Sequence, residues 1–147
     1  MGDDEQAHDR AEGYTLEHGS FVKAESVAMS VPYAAGAVRS TSRDLARWHE
    51  QLSKNTILNE TSTAKLYEVE RENYAYGWQV REDGGYRRVS HTGGIKGFLT
   101  YYLRVLERDL VIVVWSNNMA VPSAPIEEFE SIVRFAEGAA LLEMSRR

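Results

Sequence analysis

Leu110-Val111-Ile112-Val113-Val114-Trp115 carries no charge along its length. Successive side chains of a strand point to opposite faces, so a run that is apolar at every position is apolar on both. That pattern predicts a covered central strand and not an edge. Before it, Arg108-Asp109 marks a tight turn, and residues 98–106 are rich in Tyr, Leu and Val. Further back, residues 76–81 and 86–90 flank Glu82-Asp83-Gly84-Gly85, whose paired glycines supply the positive φ angles of a hairpin turn. Four strands joined by short turns in sequence order predict an antiparallel meander.

Helical signals bracket the strands. Thr41 is a good N-cap, with Asp44 placed to complement the first-turn N–H groups, and Leu45, Trp48 and Leu52 follow on one face. A shorter helix is expected over 61–69, with Ala64 and Leu66 facing inward. At the other end, Ser123 and Pro125 suit an N-cap and a first-turn proline. Ile126, Phe129, Val133, Ala136 and Ala140 then form a stripe, weakened at Gly138 by up to ~1 kcal/mol. Toward the N-terminus, residues 13–31 read as a short hairpin through Glu17-His18-Gly19-Ser20, and 32–40 as a small-residue connector. Residues 1–12 are polar and without apolar period, which predicts a disordered leader. The expected fold is α+β: an antiparallel sheet of about four strands, a C-terminal helix packed on it, and an N-terminal helical segment. A single domain spans 13–147, with no repeat.

The chain has 147 residues, 43% hydrophobic and 27% charged, with a net charge of -5. Its acidic and basic residues are interspersed, whereas a nucleic-acid binder would need a concentrated basic face. The longest apolar run is far too short to cross a bilayer, so neither nucleic acid nor membrane is an expected partner. Without cysteine there is no disulfide framework and no thiolate chemistry. His8, His18 and His49 lack metal-ligand spacing and read as incidental, and no metal or cofactor is expected. Met1-Gly2-Asp3-Asp4-Glu5 is acidic where an export signal would be basic and then apolar. Compartment is not fixed by these observations.

Four stretches carry a resemblance in order. They are Ala35-Gly36-Ala37-Val38-Arg39-Ser40-Thr41-Ser42-Arg43-Asp44-Leu45-Ala46-Arg47-Trp48, then Tyr76-Gly77-Trp78, then His91-Thr92-Gly93-Gly94-Ile95-Lys96-Gly97-Phe98, and the strand ending at Ser116-Asn117. Together they resemble the C-terminal half of the penicillin-recognising serine hydrolases: class C-type β-lactamases, DD-peptidases and related esterases. The resemblance implies a partial β-lactamase/transpeptidase-like fold and members that are often extracytoplasmic. It also implies that His91-Thr92-Gly93 is the family's third motif, a strand forming one wall of the cleft. By that reading His91 is a substrate-facing polar or acid/base residue and Thr92 binds a substrate carboxylate or amide. Gly93 permits close approach of the backbone, and the N–H of Gly94 is half of the oxyanion hole. Such a donor contributes on the order of 3 kcal/mol to the transition state. The bland alternatives are a surface histidine at a strand end and an ordinary glycine bulge. Trp48, Trp78 and Trp115 read as packing residues.

The family's chemistry requires Ser-x-x-Lys at the start of a buried helix, so that the amine can take the serine proton. Ser20-Phe21-Val22-Lys23 and Ser62-Thr63-Ala64-Lys65 match literally, and Ser116-Asn117-Asn118 matches Ser-x-Asn. The first lies on an expected strand, which points the two side chains apart. The second lies on a helix loaded with Lys65, Glu68, Glu70, Arg71 and Glu72. The third follows the His-Thr-Gly strand, reversing the family order. All three read as decoys, and the resemblance places the true nucleophile in an N-terminal portion. The expectation is therefore a hydrolase segment that is inactive alone and meets a small-molecule or peptide substrate only with that half. The competing readings are a non-catalytic binding or assembly module, and a small α+β domain whose motifs coincide by chance. A bare edge at 110–115 would drive either a surrogate strand from 13–31 or a homodimer.

Overall fold

The computed structural model describes residues 10–119, together with Phe135 and Gly138, both helical. The helix expected over 123–140 otherwise lies outside the described residues. The elements in order are β1 (Tyr14–Glu17), β2 (Ser20–Lys23), α1 (Tyr33–Gly36), α2 (Ser42–Ser53), α3 (Glu60–Leu66), β3 (Gln79–Asp83), β4 (Tyr86–Ile95), β5 (Phe98–Val105), β6 (Leu110–Ser116) and β7 (Asn118–Met119). The architecture is α+β, with a four-stranded antiparallel sheet in the order β3-β4-β5-β6.

The meander closes through the expected turns. Gly84 and Gly85 both take positive φ between β3 and β4, and Leu106–Arg108 forms a single 3-10 turn before Asp109 at φ 47°. At the β4–β5 turn Gly97 is required for two reasons. Its φ is +84°, and a Cβ there would lie 2.7 Å from Ala24 Cβ and 2.8 Å from Gly13 Cα. The N-terminal hairpin thus rests directly on this turn, with Ala24 N–H donating to Gly13 O at 2.8 Å. That hairpin turns at His18 and Gly19, both with positive φ, and β1 then pairs in parallel with β7. Glu12 is tied to the same corner: its carbonyl accepts from Asn117 Nδ2 and its carboxylate pairs with Lys23.

The apolar pattern and the pairing diverge at one strand. Among the described residues β6 pairs only with β5, so it is an edge of its sheet and not a central strand. Its apolar character serves two layers instead of two neighbouring strands. Ile112 packs with Leu103 on one face, flanked by Tyr101, Leu110 and Val114. On the other face Trp115 donates to Ser42 Oγ of α2 at 3.0 Å. The main core gathers Tyr67, Ala75, Val80 and Val89, with Leu66, Trp78 and Leu106 against it. Val89 and Val105 are fully buried, each stabilising by about 1.5–3 kcal/mol relative to exposure.

Helix α2 begins as expected, with Thr41 Oγ1 accepting from Asp44 N–H at 3.1 Å. Its inward face is rotated from the expected one. His49 and Leu52 are buried, whereas Trp48 is 45% exposed. Of the three tryptophans only Trp78 packs against the core, edge-on to Tyr67. In α3, capped by Asn59 accepting from Ser62 N–H, Ala64 is exposed and Leu66 is half-buried. The connector at 32–40 contains the four-residue helix α1.

Candidate functional site

The hairpin pattern predicts a strand over 86–90, and the resemblance predicts that His91-Thr92-Gly93 is a strand as well. The structure carries β4 on through His91, Thr92, Gly93 and Gly94 to Ile95, paired with β5 at every step. His91 stands opposite Tyr102, Thr92 opposite Tyr101, Gly93 opposite Thr100 and Gly94 opposite Leu99. β3 does not follow: its last pair with β4 is Gln79 with Ser90. From His91 onward β4 therefore has a described partner on one side only.

The registers fix which backbone groups face that open side. The two-residue turns at Gly84-Gly85 and Lys96-Gly97 make Asp83–Tyr86 and Ile95–Phe98 hydrogen-bonded pairs, and bonded positions then alternate. Positions 91, 93 and 95 bond toward β5. Thr92 and Gly94 therefore direct their N–H and C=O groups away from β5, toward the open edge. Side chains alternate as well. His91 and Gly93 lie on the face shared with Tyr102 and Thr100, and Thr92 and Gly94 on the face shared with Tyr101 and Leu99. The four residues thus meet along the edge and not on one face, and a ligand touching His91 and Thr92 together must straddle it.

The two glycines differ. A Cβ at Gly93 would meet Thr100 Oγ1 at 2.5 Å, so its missing side chain leaves room for a neighbour within the sheet. At Gly94 a Cβ would meet Leu99 Cδ2 and Met119 Cε at 3.6 Å, ordinary contact. Packing does not demand a glycine there. All four motif residues are exposed.

His91 curls over the edge. Its Nδ1 lies 2.6 Å from the outward carbonyl of Thr92, and its Nε2 lies 2.9 Å from the hydroxyl of Tyr74. Across the strand, the Tyr102 hydroxyl is buried without a hydrogen-bond partner among the described residues, and burial pushes it up to about 12. It therefore stays protonated as a donor. Its ring packs against Trp78 at 5.6 Å.

Below this edge lies a polar cluster that sequence reading missed. Arg104, on β5 and 3% exposed, donates from Nε to His49 Nδ1 at 3.0 Å and from Nη2 to Ser53 Oγ at 2.8 Å. Its Nη1 donates to the Tyr67 hydroxyl. His49 then reaches Asp109 through Nε2, 3.2 Å from both the carbonyl and Oδ1. Burial pulls His49 below the ordinary imidazole value, the Arg104 charge adds to this, and Asp109 opposes both. The cluster joins α2, α3 and the sheet. A helical-wheel signal for it existed, since His49 lies one turn after Leu45 and one turn before Leu52.

The literal Ser-x-x-Lys matches do not form nucleophile–base pairs. Ser20 and Lys23 are exposed on β2, three positions apart and therefore on opposite faces, and Lys23 pairs with Glu12. Ser62 and Lys65 are exposed on α3, and Lys65 sits 6.0 Å from the Tyr76 ring. Ser116 Oγ closes a local turn with the backbone of Asn118. Among the described residues no group of three His, Asp or Glu side chains is placed to hold a metal ion, and no helix is long and apolar enough to cross a membrane.

The sequence model of one family, described as Beta-lactamase, matches residues 2–135. No curated protein and no solved structure matches the chain.

Proposed function

We propose, from the premise that this chain belongs to the Beta-lactamase family, that it forms the sheet-edge wall of a serine-hydrolase cleft and holds no nucleophile of its own. One observation carries the reading: β4 outruns β3 at Ser90, so Thr92 and Gly94 present backbone groups to an open edge that packing does not need to fill. An acyl oxygen laid along that edge meets the N–H of Gly94, as an oxyanion-hole donor requires. His91 and the Thr92 hydroxyl flank it from opposite faces, His91 as a substrate-facing polar residue and Thr92 as a binding hydroxyl. The substrate class is a β-lactam, a D-amino-acid peptide or a small ester. The serine and its lysine base come from another segment, and the chain alone is inactive. Incubation with a penicillin followed by intact-protein mass spectrometry is expected to leave the mass unchanged. A stoichiometric adduct on Ser62 or Ser20 would overturn the reading.

A second reading concerns assembly, and the outer side of β6, unpaired among the described residues, favours it. The chain pairs with a second copy through that edge as a homodimer, burying Val111, Val113 and Trp115 together.

A further inference from the structure

We infer that Tyr74 is the positioning residue of His91: its hydroxyl donates to Nε2 and locks the imidazole with its proton on Nδ1. For its role in the cleft, the inference rests on the reading of the β4 edge given above. The geometry itself comes from three independent features.

The first is the pair of hydrogen bonds on the ring. A carbonyl oxygen only accepts, so the 2.6 Å contact to Thr92 O requires the proton to be on Nδ1. The neutral ring then has its lone pair on Nε2, and the Tyr74 hydroxyl, 2.9 Å away, is the donor that fills it. The two rings also meet edge-on, with centroids 6.0 Å apart at 71°. Both ring nitrogens and one ring edge are thus held.

The second is how firmly Tyr74 is placed. It lies in a tight loop beside the outer edge of β3, bridged to Gln79 and to Arg71. Its N–H donates to Arg71 O at 2.7 Å, and its carbonyl accepts from Glu70 N–H at 3.0 Å. Val80 N–H, directed outward from β3, donates to Asn73 O at 2.7 Å. The residues just before it, Glu72 and Asn73, have φ of 48° and 64°. Left-handed backbone is tolerated by asparagine and sterically costly for glutamate, and such strained residues cluster where geometry serves a site. Here the reversal turns Tyr74 back over the end of β3, where β4 loses its partner strand.

The third is exposure. Tyr74 is 41% exposed and His91 is exposed, so their bond is not a way of satisfying polar groups trapped in a core. Water could serve both. Their pairing at the rim of the open edge is a matter of orientation.

The consequence is specific to the ligand. With Nε2 occupied, the pair offers a ligand the Tyr74 oxygen as an acceptor. It therefore recognises a hydroxyl or amide N–H donor, and it leaves the N–H groups of Thr92 and Gly94 as the edge's donors to a ligand oxygen.

Long-range nitrogen–proton correlation spectra of the imidazole, in buffer alkaline enough for an ordinary histidine to be neutral, report the tautomer directly and need no activity. In the unchanged chain His91 should appear protonated on Nδ1. In Tyr74→Phe, which keeps the ring and removes the hydroxyl, the population should move toward the Nε2 form. Tyr76→Phe, on a neighbouring residue whose hydroxyl donates to Glu70, should leave it unchanged. An Nε2-protonated His91 in the unchanged chain, or an identical spectrum in Tyr74→Phe, overturns the inference. If Tyr74→Phe does not fold, the spectrum of the unchanged chain still decides. A stoichiometric penicillin adduct on Ser62 or Ser20 would overturn the cleft reading while leaving the tautomer result standing, so the two fail separately.

Discussion

His49 and His91 have the same chemistry and opposite circumstances, and neither circumstance follows from residue type. His91 is exposed, and its two partners are a carbonyl and a hydroxyl. His49 is 7% exposed and accepts from a guanidinium that is itself almost fully buried. Protonating His49 would set an N–H against the Arg104 Nε–H, two donors facing each other, while Glu50 and Lys54 on its own helix already pair with one another. Burial and Arg104 together hold its pKa down, with Asp109 too exposed to compensate. The unfolded chain takes up this proton near the ordinary value of about 6.5, and the folded chain only at lower pH. The contribution of neutral His49 is therefore complete above about 6.5 and is lost as pH falls from there through the lowered folded value. Urea denaturation across that range should show stability falling on acidification, with a shallower fall in His49→Gln, which can still accept from Arg104 and donate to Asp109. Equal slopes in the two proteins would show that another group controls the acid limb.

The elements divide into those announced locally and those decided by the layers around them. Caps and turns were legible because their chemistry is local: Thr41 before α2, Gly84-Gly85 between β3 and β4, and His18-Gly19 in the N-terminal hairpin all act within a few residues. The length of β4 was legible only through the resemblance, since two glycines in a row do not announce a strand and the ladder to β5 is what holds them in line. The buried face of α2 was misjudged by about one residue because Trp48 outweighs His49 in any apolar count, yet the buried arginine claims the histidine. The same limit applies to β6, whose apolar run looked central and is an edge among the described residues. Of the site, the motif residues were legible through family resemblance. Tyr74 was not, since nothing in its sequence neighbourhood marks a residue whose partner lies 17 positions away. The β6 register gives a test at this scale. Positions 110, 112, 114 and 116 bond to β5, so 111, 113 and 115 face outward. Val111→Pro removes only an outward N–H and should leave the fold within about 1 kcal/mol in denaturant. Val114→Pro removes a ladder bond opposite Tyr101 and should cost roughly 3 kcal/mol or more. Equal losses in the dissociated chain would mean that β6 is paired on both sides within one molecule.

At the scale of the molecule that outward side of β6 bears on assembly. The N-terminal hairpin could have covered it, but β1 begins at the far end, pairing with Asn118 and Met119 and running away from β6. Among the described residues the outer N–H and C=O groups of Val111, Val113 and Trp115 meet no strand. Beside them Trp115 is 44% exposed, and the run between Asp109 and the end of the strand carries no charge or proline to discourage pairing. An uncharged edge of this kind is a template for another strand. Two copies related by a two-fold axis would set β6 antiparallel to its counterpart, join the two sheets, and bury the same side chains from each partner. Because the contact is closed, it would stop at two and not grow into a fibre. Light scattering on the purified chain over a dilution series should give the mass of a dimer, dissociating only at low concentration. Val111→Pro should give a monomer with an intact fold, because it blocks the edge without touching the β5–β6 ladder. Amide exchange at Val111 and Val113 should be slow in the dimer and fast in that variant. A chain that is monomeric at high concentration, with fast exchange at both positions, would mean that the edge is tolerated bare and the assembly reading is wrong.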